Sequence, residues 1–238
     1  MGKRKTTPAE SSRKTHAVNP SESTAVAMVQ EAWARLEIWS RQNVPGLLGV
    51  LNIGATSSEI VALEHTIKRS LPEDVRKSLS IHNGQHRQQL TGFVFNLDLL
   101  DTVRIAEEWE IWAGLTDYNS EHRTDMVSFP SEAIELDYAN SGWIPVTKSA
   151  SGSFIAVDLV PGPAGSAGQV VNFGREEKLK CVLAASWGEF LLSYAKFLES
   201  GILKEIHQEP KFWGDNFESI FEAAADDRHQ RIKRPSTC

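Results

Sequence analysis

Between Gly142 and Val171 the chain reads GWIPVTKSASGSFIAVDLVPGPAGSAGQVV, short apolar runs cut apart by two loops of glycine, serine and proline. Runs this short, rich in β-branched and aromatic residues and bounded by turn residues, read as strands with tight connections. LKCVLAA (179–185) continues the meander. The loops pose a choice of chemistry. A phosphate-cradling loop leads from a strand straight into a helix, whose N–H groups and dipole meet the anion, and the P-loop pattern ends in Lys-Ser/Thr. Here Gly162, Gly165 and Gly168 lead into Gln169-Val170-Val171, which is strand-like. The loop therefore turns a hairpin, its glycines supplying positive φ.

Helical spacing flanks the meander. In SESTAVAMVQEAWARLEIWSRQ, Val26, Val29, Trp33, Leu36 and Trp39 share one stripe, with Ser21 or Ser23 as N-cap. TSSEIVALEHTIKRSLP places Ile60, Leu63 and Ile67 on one face, with Ser57 or Ser58 as cap. Pro72 opens a further helix with acidic residues in its first turn, and Asn83-Gly84 stops it. GFVFNL (92–97) reads as a short strand, and DLLDTVRIAEEWEIWAGL as a helix in which Leu99, Val103, Ala106, Trp109 or Glu110, and Trp112 or Ala113 keep helical spacing, with Trp109 and Trp112 on a face that is either core or contact surface. Residues 114–140 read as an insertion or long loop. SWGEFLLSYAKFLESG returns to helical spacing, with Trp187, Phe190, Leu191, Tyr194 and Leu198 inward and Gly201 past the end. Helices, then a mostly antiparallel sheet over about 92–184, then a closing helix make an α+β fold.

A length of 238 residues suits one domain with appendages. Residues 1–21 carry Lys3, Arg4, Lys5, Arg13 and Lys14 against Glu10 alone and almost no apolar content, so a disordered tail is expected. The domain is expected over 22–201, followed by a polar extension over 202–238. Gly2 with Thr6 formally fits an acylation pattern, although basic residues crowd the glycine. A net charge of −6 argues against bulk nucleic-acid binding. Two cysteines, no Asn-x-Ser/Thr acceptor and no long apolar stretch or leader-like segment point to a cytoplasmic protein without a membrane span.

No residue set spells catalysis. Cys181 could pair with His82 or His86, yet it sits in a strand-like run and reads as a small core hydrophobe. Ser193-x-x-Lys196 lacks the companion motifs of a serine acyl-enzyme. His82 and His86 are four apart across a helix break, so no metal or cofactor is expected. Glu107, Glu108 and Glu110 read as a solvated helix side, and Asp158 as an acceptor of turn N–H groups. An enzyme reading would rest on Cys181, Asp158 and Glu108 without a base and an orienting group in place.

The motifs in their order resemble the fungal cell-wall-assembly-regulator family (SMI1/KNR4-like) of the SUKH superfamily. They are Leu71-Pro72, Asn83-Gly84, Trp143-Ile144-Pro145, Gly152, Asp158-Leu159-Val160-Pro161, Gly165 to Val170 with Gly168, and Trp187 to Leu198. The resemblance spans about Ser21 to Gly201. It implies a non-enzymatic protein-binding regulator or adaptor of cell-wall assembly and stress signalling; bacterial members imply the alternative of an immunity protein that neutralises a toxin. This chain departs from the family at KSASGS, where one glycine and Lys148 stand in a turn usually richer in glycine and often acidic. Loops on a rigid scaffold carry function, so a partner surface is expected over 148–153 and 161–168 with the acidic helix nearby. Its named residues are Lys148, Ser149, Ser151, Glu107, Glu108 and Trp109.

Overall fold

A computed structural model describes residues 20–87, 92–122 and 126–201. The readings made on the tail up to residue 19, on Gly2 and on the extension after Gly201 lie outside the described residues, whereas Pro20 and Ser21, expected in the tail, belong to the first helix.

The helices are α1 (Pro20–Asn43), α2 (Ser57–Ile67), α3 (Glu73–Ile81), α4 (Thr102–Ala113), α5 (Asn119–His122) and α6 (Trp187–Glu199). The strands are β1 (Asp98–Leu99), β2 (Val127–Phe129), β3 (Trp143–Lys148), β4 (Ser153–Asp158), β5 (Gln169–Gly174) and β6 (Leu179–Ala184). They form one six-stranded sheet in the order β1-β3-β4-β5-β6-β2, antiparallel except where β2 runs parallel to β6. The α+β expectation holds. Among the described residues, no helix is long and apolar enough to cross a membrane.

Both sheet faces are covered. Ile144, Val146, Ile155, Val157 and Val170 join the larger core with α1, α3 and α6, whereas Trp143, Phe154, Ala156, Val171 and Phe173 join a smaller core with Trp112, Ile134 and Ala139. Alternate residues on one strand point to opposite faces. Two apolar faces explain why β4 reads SFIAVD, an apolar run without polar alternation. Against the larger core α1 lies so close to α6 that a Cβ on Gly188 would fall 2.2 Å from the Ala25 carbonyl oxygen.

Several local expectations need correction. Residues 92–97 form a tight turn, with Val94 bridging Leu97 and Phe95 and Asn96 at φ of 50° and 61°; the strand begins at Asp98. Residues 114–140 are not a plain loop. They supply α5, β2 and the buried Ala133, Ile134 and Ala139, which close the second sheet face. The cap of α2 is Thr56, in a reciprocal capping box with Glu59. α1 already begins at Pro20, so Ser21 and Ser23 lie inside it. Of the three glycines in the β4–β5 loop only Gly168 has positive φ, at 93°. Gly162 and Gly165 serve close approach instead: a Cβ there would meet the carbonyl oxygens of Glu132 and Ala133 at 2.3 and 2.1 Å.

Candidate partner-binding surface

At one end of β3 and β4 the turn is held by its own serines. Ser149 Oγ accepts the Ser153 N–H at 2.9 Å and lies 2.8 Å from Ser151 Oγ, and Gly152 takes a φ of 89°. Lys148, at the end of β3, donates from Nζ to Glu108 Oε1 on α4 at 2.6 Å and lies 5.6 Å from the centre of the Phe154 ring. The structure thus brings Lys148, Ser149, Ser151 and Glu108 to one corner of the sheet.

α4 reaches that corner because its start is fastened twice. Asp101 Oδ1 accepts the N–H groups of Val103 and Arg104, and Asn83 Oδ1 accepts that of Thr102, each at 2.9 Å. Gly84 follows at a φ of 64°, tight against Asp101. Asn83-Gly84, expected as a left-handed helix stop, lies past the end of α3, whose cap is the extended His82, and anchors the next helix instead. Glu107 binds the Arg87 guanidinium through both oxygens, at 3.0 and 2.9 Å. Trp109 is half-buried against the larger core, its indole N–H donating to the Ser141 carbonyl at 2.9 Å.

The apolar phase of α4 differs from expectation. Ile105 and Trp112 are buried, while Val103 and Ile111 each stand 58% exposed. Residues 103, 107 and 111 lie four apart on one line of the helix surface. The outward line is therefore aliphatic, acidic, aliphatic. The residues were missed because α4 carries apolar residues for more than one face, and periodicity alone did not say which face was covered.

The second expected loop, 161–168, stands elsewhere. β4 pairs Ser153 with Gly174 at one end and Asp158 with Gln169 at the other. Five residue steps of about 3.3 Å put the two loops roughly 17 Å apart. Asp158 is fully buried and accepts from Val160 N–H and Gln169 Nε2, each at 2.9 Å. Burial pushes its carboxyl up to about 6, against the opposing pull of those hydrogen bonds. The remaining motif residues are structural. Pro72 precedes α3; Leu71, Trp143 and Trp187 are buried; Pro145 lies within β3, and Pro161 lies in the loop between β4 and β5.

The residues of the enzyme reading hold separate partners. His82 contacts Glu37 Oε1 at 3.0 Å and the Asn52 carbonyl at 3.2 Å through its two ring nitrogens. Cys181 is half-buried in β6, its N–H donating to Asn172 Oδ1 at 2.6 Å. Glu108 binds Lys148, and Asp158 binds Gln169. Two buried polar residues went unnoticed in the sequence. Gln85 Oε1 accepts the N–H groups of Phe93 and Leu99, at 2.9 and 3.0 Å. Lys180 is fully buried with Nζ 4.6 Å from the centre of a Trp143 ring.

Residues 54–193 match the SMI1 / KNR4 family (SUKH-1). The chain is similar to the cell wall biosynthesis/cell cycle regulator smi1 of Schizosaccharomyces pombe, 42% identical over 186 residues that cover 73% of this chain and 36% of that protein. It is 34% identical over 206 residues to the glucan synthesis regulatory protein of Neurospora crassa, covering 73% and 39% of the two. The cell wall assembly regulator SMI1 of Saccharomyces cerevisiae is 30% identical over 223 residues, covering 80% and 44%. The chain thus spans less than half the length of these curated relatives. With 140 of its residues (54–193) matched, more than half of its length, the chain belongs to the SMI1/KNR4 (SUKH-1) family.

Proposed function

We propose that this chain is a non-enzymatic, cytoplasmic regulator of cell-wall polysaccharide synthesis that works by binding another protein, and that the outward line of α4 with the β3–β4 corner is the binding surface. The observation that carries this reading is the pair Val103 and Ile111, two aliphatic side chains held in solvent on a doubly anchored helix. Aliphatic area on a rigid element, with the Glu107 carboxylate between, suits an apolar partner face carrying a basic residue; the apolar contact supplies affinity and the charge orients the encounter. Three relatives named as cell-wall or glucan-synthesis regulators support the regulator reading over toxin neutralisation.

A domain exchange tests it. The matched region of the Schizosaccharomyces pombe relative is replaced by this chain, and cell-wall glucan is measured in cells lacking the native gene. Wild-type sequence should restore glucan, and a Val103→Asp/Ile111→Asp chain of equal abundance should not. Equal restoration by both would reject the surface, and restoration by neither would reject the role.

A further inference from the structure

At the opposite edge of the sheet lies a surface of different chemistry. Five strand spacings of about 4.8 Å put β2 roughly 24 Å from β1. β2 pairs with β6 on one side, and no other described strand covers its far side. Val127 N–H donates to the Lys178 carbonyl, so the alternation of a parallel ladder turns the Ser128 N–H and C=O outward. Beside this edge runs an open groove of about 490 Å³. Ile134 forms its buried floor, and Val127, Leu136 and Pro163 line its sides. Val127 lies opposite Leu179 in the β2–β6 register, and the two are 57% and 53% exposed. Glu132 and Glu135 also line the groove, and among the described residues neither is paired with a lysine or arginine.

We propose that this groove binds an extended segment of a partner protein in which apolar and basic side chains alternate. An extended segment fits because a free strand edge offers main-chain pairing and fixes register. Apolar side chains at every second position would cover Val127 and Leu136, whose exposure is otherwise unexplained. Basic side chains between them would meet Glu132 and Glu135, which line the same groove and pair with no lysine or arginine among the described residues. The groove lies across the sheet from α4, so its failure would leave the reading of α4 untouched.

The test uses the full chain and an array of nine-residue peptides in which apolar, basic and acidic residues are varied at every position. Peptides alternating apolar with Lys or Arg should be retained best, and exchanging the basic positions for Glu should abolish retention. For the best peptide, Glu132→Lys/Glu135→Lys should weaken binding at least tenfold. Independently of any variant's folding, N-methylation of the peptide should abolish binding at alternate residues only, those whose N–H faces β2. No pattern preference, equal binding by the charge-reversed chain, or indifference to N-methylation would each overturn the proposal. Binding seen only after residues 1–19 are removed would put the chain's own tail in the groove. Dimers abolished by the charge reversal would put a second copy there. Either result overturns the assignment to a partner.

Discussion

Asp74 Oδ2 accepts the main-chain N–H of Gly188 at 3.0 Å, tying the first turn of α3 to the first turn of α6 across 114 residues. Its other oxygen accepts the N–H of Val75 at 2.9 Å. Both helix starts are closely packed, so these N–H groups have little access to water. Asp74→Ala should lower the unfolding free energy by about 2–3 kcal/mol, the cost of leaving such donors unmet. Asp74→Asn keeps an acceptor oxygen and should cost less. Urea denaturation of the three chains checks the order.

Asp158 sets a pH dependence of definite sign. Its carboxyl is held at about 6 in the folded chain against an ordinary 3.8, so the folded state binds more protons between those values. The stability from this group is fully present below 3.8 and lost as pH rises through 6. Relative to Asp158→Asn, the wild type should gain up to about 3 kcal/mol between pH 7 and pH 4. The measurement is the difference between two urea-stability profiles; a flat difference would contradict the assignment.

Lys180 gives the opposite window. Burial lowers its ammonium to about 8 from 10.5, against the attraction of Glu177 and Asp137. Its stability contribution is therefore present above 10.5 and lost as pH falls through 8. Lys180→Met should remove that rise, seen as a smaller stability gain between pH 8 and 10.5 than in the wild type.

At the β3–β4 corner, Lys148 and Glu108 should be coupled. Lys148→Glu alone repels Glu108, and the double exchange Lys148→Glu/Glu108→Lys should recover part of the loss. A coupling of about 0.5–1 kcal/mol is expected for a pair whose side chains are 35% and 15% exposed. Thermal unfolding of the four-chain cycle measures it, and a coupling of zero would mean that the contact does not orient α4.

The stripes of α1 and α6 were legible because Trp33, Leu36, Trp187 and Leu191 recur at helical spacing and tertiary packing agrees with it. The central strands were legible from their β-branched runs between turn residues. Three features were not. Val94 and Leu97 look like strand residues, but Phe95 and Asn96 between them make a turn whose left-handed positions carry no glycine. Ile134 and Ala139 reach the core from a polar stretch, since single buried residues carry no period. On the candidate surface, Lys148 and Glu108 were each named, while their direct pairing and the outward face of α4 depend on how the sheet seats that helix.

The central claim is most directly tested by photocrosslinking in living cells from positions 103 and 111 on α4. A crosslinking amino acid at Val103 or Ile111 should give one discrete protein adduct, the same from both positions. At Ser193, exposed on α6, it should not give that adduct. The Glu107→Lys change should weaken the α4 adduct. No adduct from α4, or the same adducts from Ser193, would contradict a partner docked on this helix.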